Sequence, residues 1–129
     1  MRLRLAALCL LCLAVPPTAG AAATLTVTFH APGHAPKVNQ RWPWSVTASS
    51  GGKPVAGTVT AQVVDPVGGV HAVEFGGVAK KFVTNVKFKG RFADFVLYPP
   101  ISRGIKVTFR VTVKTALGTR VFRYWVQAK

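Results

Sequence analysis

The chain has 129 residues, with 17 lysines and arginines against three acidic residues, and its formal net charge is +14 at pH 7. This length allows one domain with one core. No segment is apolar over the roughly 20 residues that a membrane-spanning helix needs. So large a basic excess predicts long-range attraction to polyanions.

The first 23 residues have the pattern of a secretory signal peptide. Arg2 and Arg4 give a basic start, an apolar run covers residues 5–15, and small residues follow up to Ala23. We expect export through the Sec pathway to the cell envelope or the medium, with cleavage near Ala23. The remaining domain, residues 24–129, keeps 15 basic residues and has a net charge of +12.

Both cysteines, Cys9 and Cys12, lie in the apolar run of the predicted signal peptide. Leu8 and Leu11 precede them, whereas a lipidated cysteine follows a small residue. The domain is therefore expected to contain no disulfide, no thiolate ligand and no cysteine nucleophile. Its hydrophobic core must stabilise it unaided.

From residue 24 onward, alternation of apolar and polar residues, interrupted by Gly and Pro, predicts β-strands throughout. Seven or eight antiparallel strands fit a β-sandwich, with a small β-barrel as the alternative. One segment, 78–90, is the weakest, because Lys80, Lys81 and Asn85 interrupt its pattern. The predicted strands are 24–30, 42–49, 57–64, 70–75, 78–90, 91–98, 105–114 and 120–127.

Two tryptophans in the second predicted strand are candidates for either the core or a sugar-binding aromatic pair. Trp42 and Trp44 fall on the strand face that also holds Val46 and Ala48. This favours core packing. We expect Trp44 inside the core, and Trp42, which is nearer the strand start, partly exposed.

The segment GGKPVAGTVTAQVV (51–64) resembles the turn and strand signature of bacterial immunoglobulin-like domains. With GHAPKVNQRWPWSVTASS before it and FRVTVKTALGT after it, the chain resembles a group of small secreted immunoglobulin-like proteins from actinobacteria. The resemblance covers most of the domain. It implies an all-β, immunoglobulin-like sandwich of seven to eight antiparallel strands, and secretion. It implies no activity, because this group is mostly without an assigned function.

The three acidic residues do not form a catalytic pattern. Asp65 precedes Pro66 at a predicted turn, Glu74 lies in a strand pattern, and Asp94 lies between aromatic residues. No nucleophile motif, zinc-protease motif or phosphate-binding glycine loop occurs. We expect a non-enzymatic protein without catalytic residues.

The segment HAPGHAP (30–36) contains two of the three histidines. His30 and His34 would share one face of a helix, but the prolines and the glycine between and after them forbid that helix. A type II turn at Pro-Gly would bring the imidazoles together, whereas an extended segment holds their Cα atoms about 13 Å apart. With His71 as a third ligand, Cu(II) suits these residues better than zinc. A copper carrier is therefore the alternative to a cofactor-free domain with a surface loop here.

Nine basic residues are candidates for polyanion binding. Some cluster in the sequence, and others alternate along the last two predicted strands, which would form one basic sheet face if they pair. Trp125 would lie on that face, within reach of a cation–π contact with Arg110. The nine residues are Lys80, Lys81, Lys87, Lys89, Arg91, Lys106, Arg110, Lys114 and Arg123.

The expected partner is an anionic cell-wall polymer or another envelope protein. We do not expect nucleic acid, because the domain is predicted to be exported and its aromatic residues are too sparse for a base-stacking platform. A structural accessory that assembles through sheet edges is a third hypothesis.

Overall fold

The computed structural model describes residues 24–77 and 81–129. The predicted signal peptide and Lys80 lie outside these residues. Within them, one short 3-10 turn occurs at Pro100–Ser102, and no helix has the length and hydropathy needed to span a membrane. The strands are β1 (Leu25–His30), β2 (Arg41–Ser50), β3 (Lys53–Pro54), β4 (Ala56–Val64), β5 (Val70–Ala72), β6 (Val86–Lys89), β7 (Arg91–Leu97), β8 (Lys106–Thr115) and β9 (Gly118–Gln127).

Two antiparallel sheets form a sandwich, so the predicted all-β fold class is confirmed. In the first sheet, β2 pairs with β1, β3 and β7. In the second sheet, β4 pairs with β8 on one side and with β5 and β6 on the other, and β9 follows β8. The second sheet thus presents one broad outward side.

The core lies between the inward sides of β2, β4 and β8. The inward residues of β2, from Trp42 to Ala48, are buried and face Phe109 and Val111 of β8. Trp42 and Trp44 both pack edge-on against the Phe109 ring. Truncation of a buried tryptophan to alanine costs about 3–5 kcal/mol in folded proteins, so these two side chains are major stabilising contacts between the sheets.

The expected partial exposure of Trp42 is wrong, because the side chain is only 4% exposed. The chain between β1 and β2 folds back over this end of the sandwich. Its Gly33 carbonyl oxygen accepts a hydrogen bond of 2.9 Å from the Trp42 indole Nε1–H. The loop therefore supplies a polar partner of the kind that a buried indole N–H usually has.

The same loop leaves the first sheet after β1, runs along the edge of the second sheet and then returns to β2 of the first sheet. Residues 34–38 run parallel to the end of β9, since Gln127 N–H donates to the His34 carbonyl and Lys129 N–H donates to the Pro36 carbonyl, both at 2.8 Å. Gly33 has a φ of 139°, in a region that L side chains rarely adopt. HAPGHAP is thus the bend at which a strand-like segment changes sheets and covers part of an edge.

Residues 24–77 and 81–129 contain nine strands, where the sequence predicts seven or eight. The additional strand is β3, which has only two residues and lies in the segment whose sequence predicts a turn. The predicted strand 78–90 is largely irregular in its described part, with strand pairing at Val86–Lys89 and one bridge between Glu74 and Phe82. Asn85 explains the interruption, because its φ of 49° is incompatible with an extended strand.

Candidate polyanion-binding face

The alternation of β8 and β9 builds the outward side of the second sheet. Because Phe109 and Val111 point into the core, the residues beside them along β8 point outward. In β9, Arg123 lies opposite Arg110, so the predicted pairing of the last two strands is confirmed. The outward residues of β8 are Lys106, Thr108, Arg110, Thr112 and Lys114.

The strands β4 and β6 extend this surface. Thr58 of β4 lies between Lys114 of β8 and Lys87 of β6 in one cross-strand row, and Lys89 follows two residues after Lys87 on the same side. None of the five strands of this sheet contains an acidic residue. We call this outward side the basic face, and its basic residues are Lys87, Lys89, Lys106, Arg110, Lys114 and Arg123.

The other candidate basic residues lie elsewhere. Gly90, with a φ of 76°, turns the chain from β6 in the second sheet to β7 in the first. Arg91 therefore lies opposite Thr47, on the outward side of the first sheet. Lys81 lies beside the Glu74–Phe82 bridge, and its carbonyl oxygen accepts a hydrogen bond from Phe75 N–H. The cluster that Lys81 and Arg91 form with β6 in the sequence is thus divided in space.

Arg110 occupies the middle of the basic face in a fixed orientation. Gln62 lies directly opposite it on β4, and the Gln62 side-chain oxygen accepts hydrogen bonds from Arg110 Nε at 3.1 Å and Nη2 at 2.7 Å. Two donors on one acceptor hold the plane of the guanidinium group. Gln62 had not been singled out from the sequence, although it lies on the polar side of the alternating segment 57–64.

Trp125 contacts a different cation from the one expected. The Lys106 ammonium lies 4.8 Å from the centroid of the Trp125 ring, whereas Arg110 is held by Gln62. A cation over an indole ring contributes about 0.5–1 kcal/mol at an exposed site. Lys106 and Trp125 therefore form one corner of the basic face.

His34, in the loop between β1 and β2, packs against this corner. Its imidazole stacks on the Trp125 ring at 4.0 Å and on the Tyr124 ring at 4.2 Å, and both pairs are nearly parallel. Its Nδ1 lies 2.6 Å from the Trp125 carbonyl oxygen. His34 thus joins the loop to β9 through aromatic contacts and a hydrogen bond.

The structure does not group the three histidines. His71 Nε2 lies 2.9 Å from Asp65 Oδ2, His34 contacts β9, and His30 is exposed at the end of β1. Within residues 24–77 and 81–129, no group of three or more His, Cys, Asp or Glu side chains is arranged to hold a metal ion. Copper binding by His30, His34 and His71 stays a prediction, and the described residues contain no preformed site for it.

Asp65 organises the turn between β4 and β5. Its Oδ1 accepts hydrogen bonds from Val67 N–H at 3.0 Å and Gly69 N–H at 2.8 Å. The hydrogen bond with His71, followed by those from the backbone, lowers the pKa of the Asp65 carboxyl below its usual value. These contacts agree with the turn role that the sequence predicts for this residue.

A cleft of about 690 Å³ lies at the end of the sandwich near β5. It is bordered by Leu97, Tyr98 and Ile101 and by His71 and Glu74. The Tyr98 hydroxyl is buried, and burial raises its pKa far above the usual range, so that it stays neutral. The size and the mainly apolar lining suit a small ligand, whereas His71, one of the few polar residues of the lining, is already hydrogen-bonded to Asp65.

Comparison of the chain with protein-family models, with curated proteins and with solved structures finds no match. The basic face therefore has to be interpreted from its own chemistry. Cationic donors and hydroxyl groups on a β-sheet can bind anions, whereas the face offers no carboxylate to act as a base or to neutralise a ligand cation.

Proposed function

We propose that this protein is a secreted, non-enzymatic, immunoglobulin-like module that binds an anionic polymer of the cell envelope through the basic face. One observation carries the proposal: six basic side chains project from one side of a sheet whose five strands contain no acidic residue. Surface charges are ordinarily of both signs, and their mixing limits large fields of one sign. A field of one sign on an extended surface attracts a polymer of the opposite sign.

The division of strands between the sheets supports the immunoglobulin-like assignment. The first sheet contains β1, β2 and β7, and the second contains β4, β8 and β9. Strands A, B and E and strands C, F and G are divided in this way in immunoglobulin folds. The short strands β5 and β6 lie between the equivalents of C and E in sequence and extend the second sheet beside β4.

A polymer is a better partner for this face than a folded protein. The centres of protein–protein interfaces are depleted in charge and enriched in apolar and aromatic residues. Here Arg110 and Arg123 lie in the middle, and the aromatic Trp125 lies at one corner. This arrangement suits a ligand whose charges are repeated along its length.

The test compares retention on an immobilised polyanion as the salt concentration rises. The face variant is Arg110→Gln, Lys114→Gln, Arg123→Gln. The matched control, Lys53→Gln, Arg91→Gln, Arg103→Gln, removes the same charge from exposed positions outside the basic face. We expect the face variant to elute at clearly lower salt than the control, and its slope of log affinity against log salt to fall by about two to three.

Equal shifts of the two variants would show that net charge, and not the basic face, causes retention. Failure of the parent protein to be retained at low salt would contradict the proposed function altogether, because exposed charges act most strongly at low ionic strength.

A further inference from the structure

Two arginines face each other at the centre of the basic face, and neither forms an ion pair with an acidic side chain of residues 24–77 or 81–129. Arg110 and Arg123 are directly opposed in the β8–β9 register. Side chains in this relation have Cβ atoms about 4.5–5.5 Å apart, and like charges there destabilise a sheet. Among the described residues, the one salt bridge is that between His71 and Asp65, in the turn after β4. The repulsion between these two positive charges is therefore not offset by an acidic side chain of the described residues, and a bound anion would reduce it.

The chemistry around this pair consists of donors. The Gln62 carbonyl oxygen occupies the Nε edge of the Arg110 guanidinium and leaves its remaining N–H groups for a ligand. The amide nitrogen of Gln62 is a further donor. Thr108 and Thr112 lie on the same outward side, two residues before and after Arg110, and each carries a hydroxyl. A ligand bound here must supply several acceptor oxygens at once.

We propose, as an extension that rests on the proposed function, that Arg110, oriented by Gln62, and Arg123 on the neighbouring strand form a clamp for a phosphate group of a linear phosphodiester polymer. A phosphodiester presents oxygens in a tetrahedral arrangement, so that two guanidinium groups on neighbouring strands can bind the same group. A carboxylate also has two charged oxygens, but they accept hydrogen bonds mainly in one plane and so suit two guanidinium groups on neighbouring strands less well. Guanidinium forks match phosphate geometry in a way that an ammonium group does not.

The flanking lysines define the direction of the polymer. Lys106 and Lys114 each lie four residues from Arg110 along β8, a distance of about 13 Å in an extended strand. Cations at these intervals form a track for further phosphate groups on either side of the clamp. The polymer therefore lies along β8.

The aromatic content of the face favours a polymer of alditol phosphate units over nucleic acid. Single-stranded nucleic acids bind to surfaces on which successive bases stack on several aromatic rings. Trp125 is the outward aromatic residue on β8 and β9, and its ring already contacts His34 and Lys106. The face thus has cations for a phosphate backbone without a platform for bases.

The experiment measures binding of three end-labelled polymers with matched numbers of charges at one ionic strength: poly(glycerol phosphate), polyglutamate and oligothymidylate. It uses the parent protein, the variant Arg110→Lys, Arg123→Lys, and the control Arg91→Lys, Arg103→Lys. All three proteins have the same net charge. Thermal unfolding followed by circular dichroism establishes that each is folded.

We expect the parent to bind poly(glycerol phosphate) about tenfold more tightly than polyglutamate, which corresponds to one additional charge-assisted hydrogen bond. The clamp variant should lose about this factor for poly(glycerol phosphate) only, and the control should match the parent.

If the clamp variant binds both polymers as the parent does, the clamp is wrong while the proposed function stands. Tighter binding of oligothymidylate than of poly(glycerol phosphate) would overturn the polymer class. If the parent binds none of the three, the proposed function fails and the clamp fails with it.

Discussion

Asp65 holds the turn between β4 and β5 together through both of its carboxylate oxygens. One oxygen accepts two backbone N–H groups, and the other lies 2.9 Å from His71 Nε2. The hydrogen bond with His71 and those from Gly69 and Val67 favour the charged carboxylate and lower its pKa from 3.8. At the scale of one residue, this acid therefore stabilises local structure.

Replacement of Asp65 by Asn should change how stability depends on pH. Because the pKa of Asp65 is lower in the folded state, its stabilisation is present above pH 3.8 and is lost as the pH falls through the folded-state value. We expect urea unfolding to show Asp65→Asn less stable than the parent at neutral pH, with the difference shrinking well below pH 3.8.

The matched control for this experiment is Glu74→Gln, which removes an exposed carboxylate from the short bridge with Phe82. Because the Glu74 side chain makes no hydrogen bond or salt bridge within the described residues, this replacement should change the free energy of unfolding by less than about 0.5 kcal/mol. A difference between Asp65→Asn and the parent that is constant across this pH range would contradict a role for the Asp65 charge.

At the scale of elements, residues 31–38 decide how the two sheets are joined at one edge. After β1 the chain bends at Gly33, and residues 34–38 then hydrogen-bond to the end of β9. His34 adds stacking on Tyr124 and Trp125 and a hydrogen bond to the Trp125 carbonyl. The segment thus connects the first sheet to the strand that carries Arg123.

His34→Ala should therefore destabilise the protein, and His30→Ala should not. Loss of the aromatic contacts and of one hydrogen bond is expected to lower the free energy of unfolding by about 1–2 kcal/mol. His30 is exposed at the end of β1, so its replacement should change this free energy by less than about 0.5 kcal/mol. Urea unfolding at neutral pH measures the free energy of unfolding of both variants. Equal losses in the two variants would mean that the stacking of His34 on Tyr124 and Trp125 does not stabilise the fold.

Alternation along single strands was enough to predict the inward residues of β2, β8 and β9, because side chains in a strand point to opposite sides in turn. The same rule, together with the predicted pairing of the last two strands, places the basic side chains of β8 and Arg123 on one side of the sheet. Trp42 departed from its prediction because its burial depends on a loop that returns over it, which the spacing within β2 does not indicate.

Contacts between distant segments could not be predicted from alternation. The separation of Arg91 from Lys87 depends on a change of sheet at Gly90. The Gln62–Arg110 contact depends on the register of β4 against β8, which links residues 48 positions apart. The local pattern carries no information about such pairings. The sequence therefore predicts the basic residues of β8 and β9, but neither the contact of Gln62 with Arg110 nor the position of Arg91 on the other sheet.

At the scale of the whole molecule, charge and shape act together. The outward side of the first sheet carries hydroxyl residues such as Thr28 and Thr47, whose side chains hydrogen-bond to each other, together with two cations, Arg91 and Arg41, the second of which lies over the Phe95 ring. The outward side of the second sheet carries the six residues of the basic face. We infer that the overall positive charge promotes encounter with a polyanion and that the basic face determines where it binds.

The most direct measurement of this central claim is a two-dimensional ¹H–¹⁵N NMR titration of the protein with poly(glycerol phosphate). The expected result is that amide shifts change at the outward residues of β4, β6, β8 and β9, most strongly around Arg110 and Arg123, while those of β1 and β2 stay unchanged. Changes spread evenly over both sheets, or centred on the cleft beside Tyr98, would contradict the basic face as the binding surface.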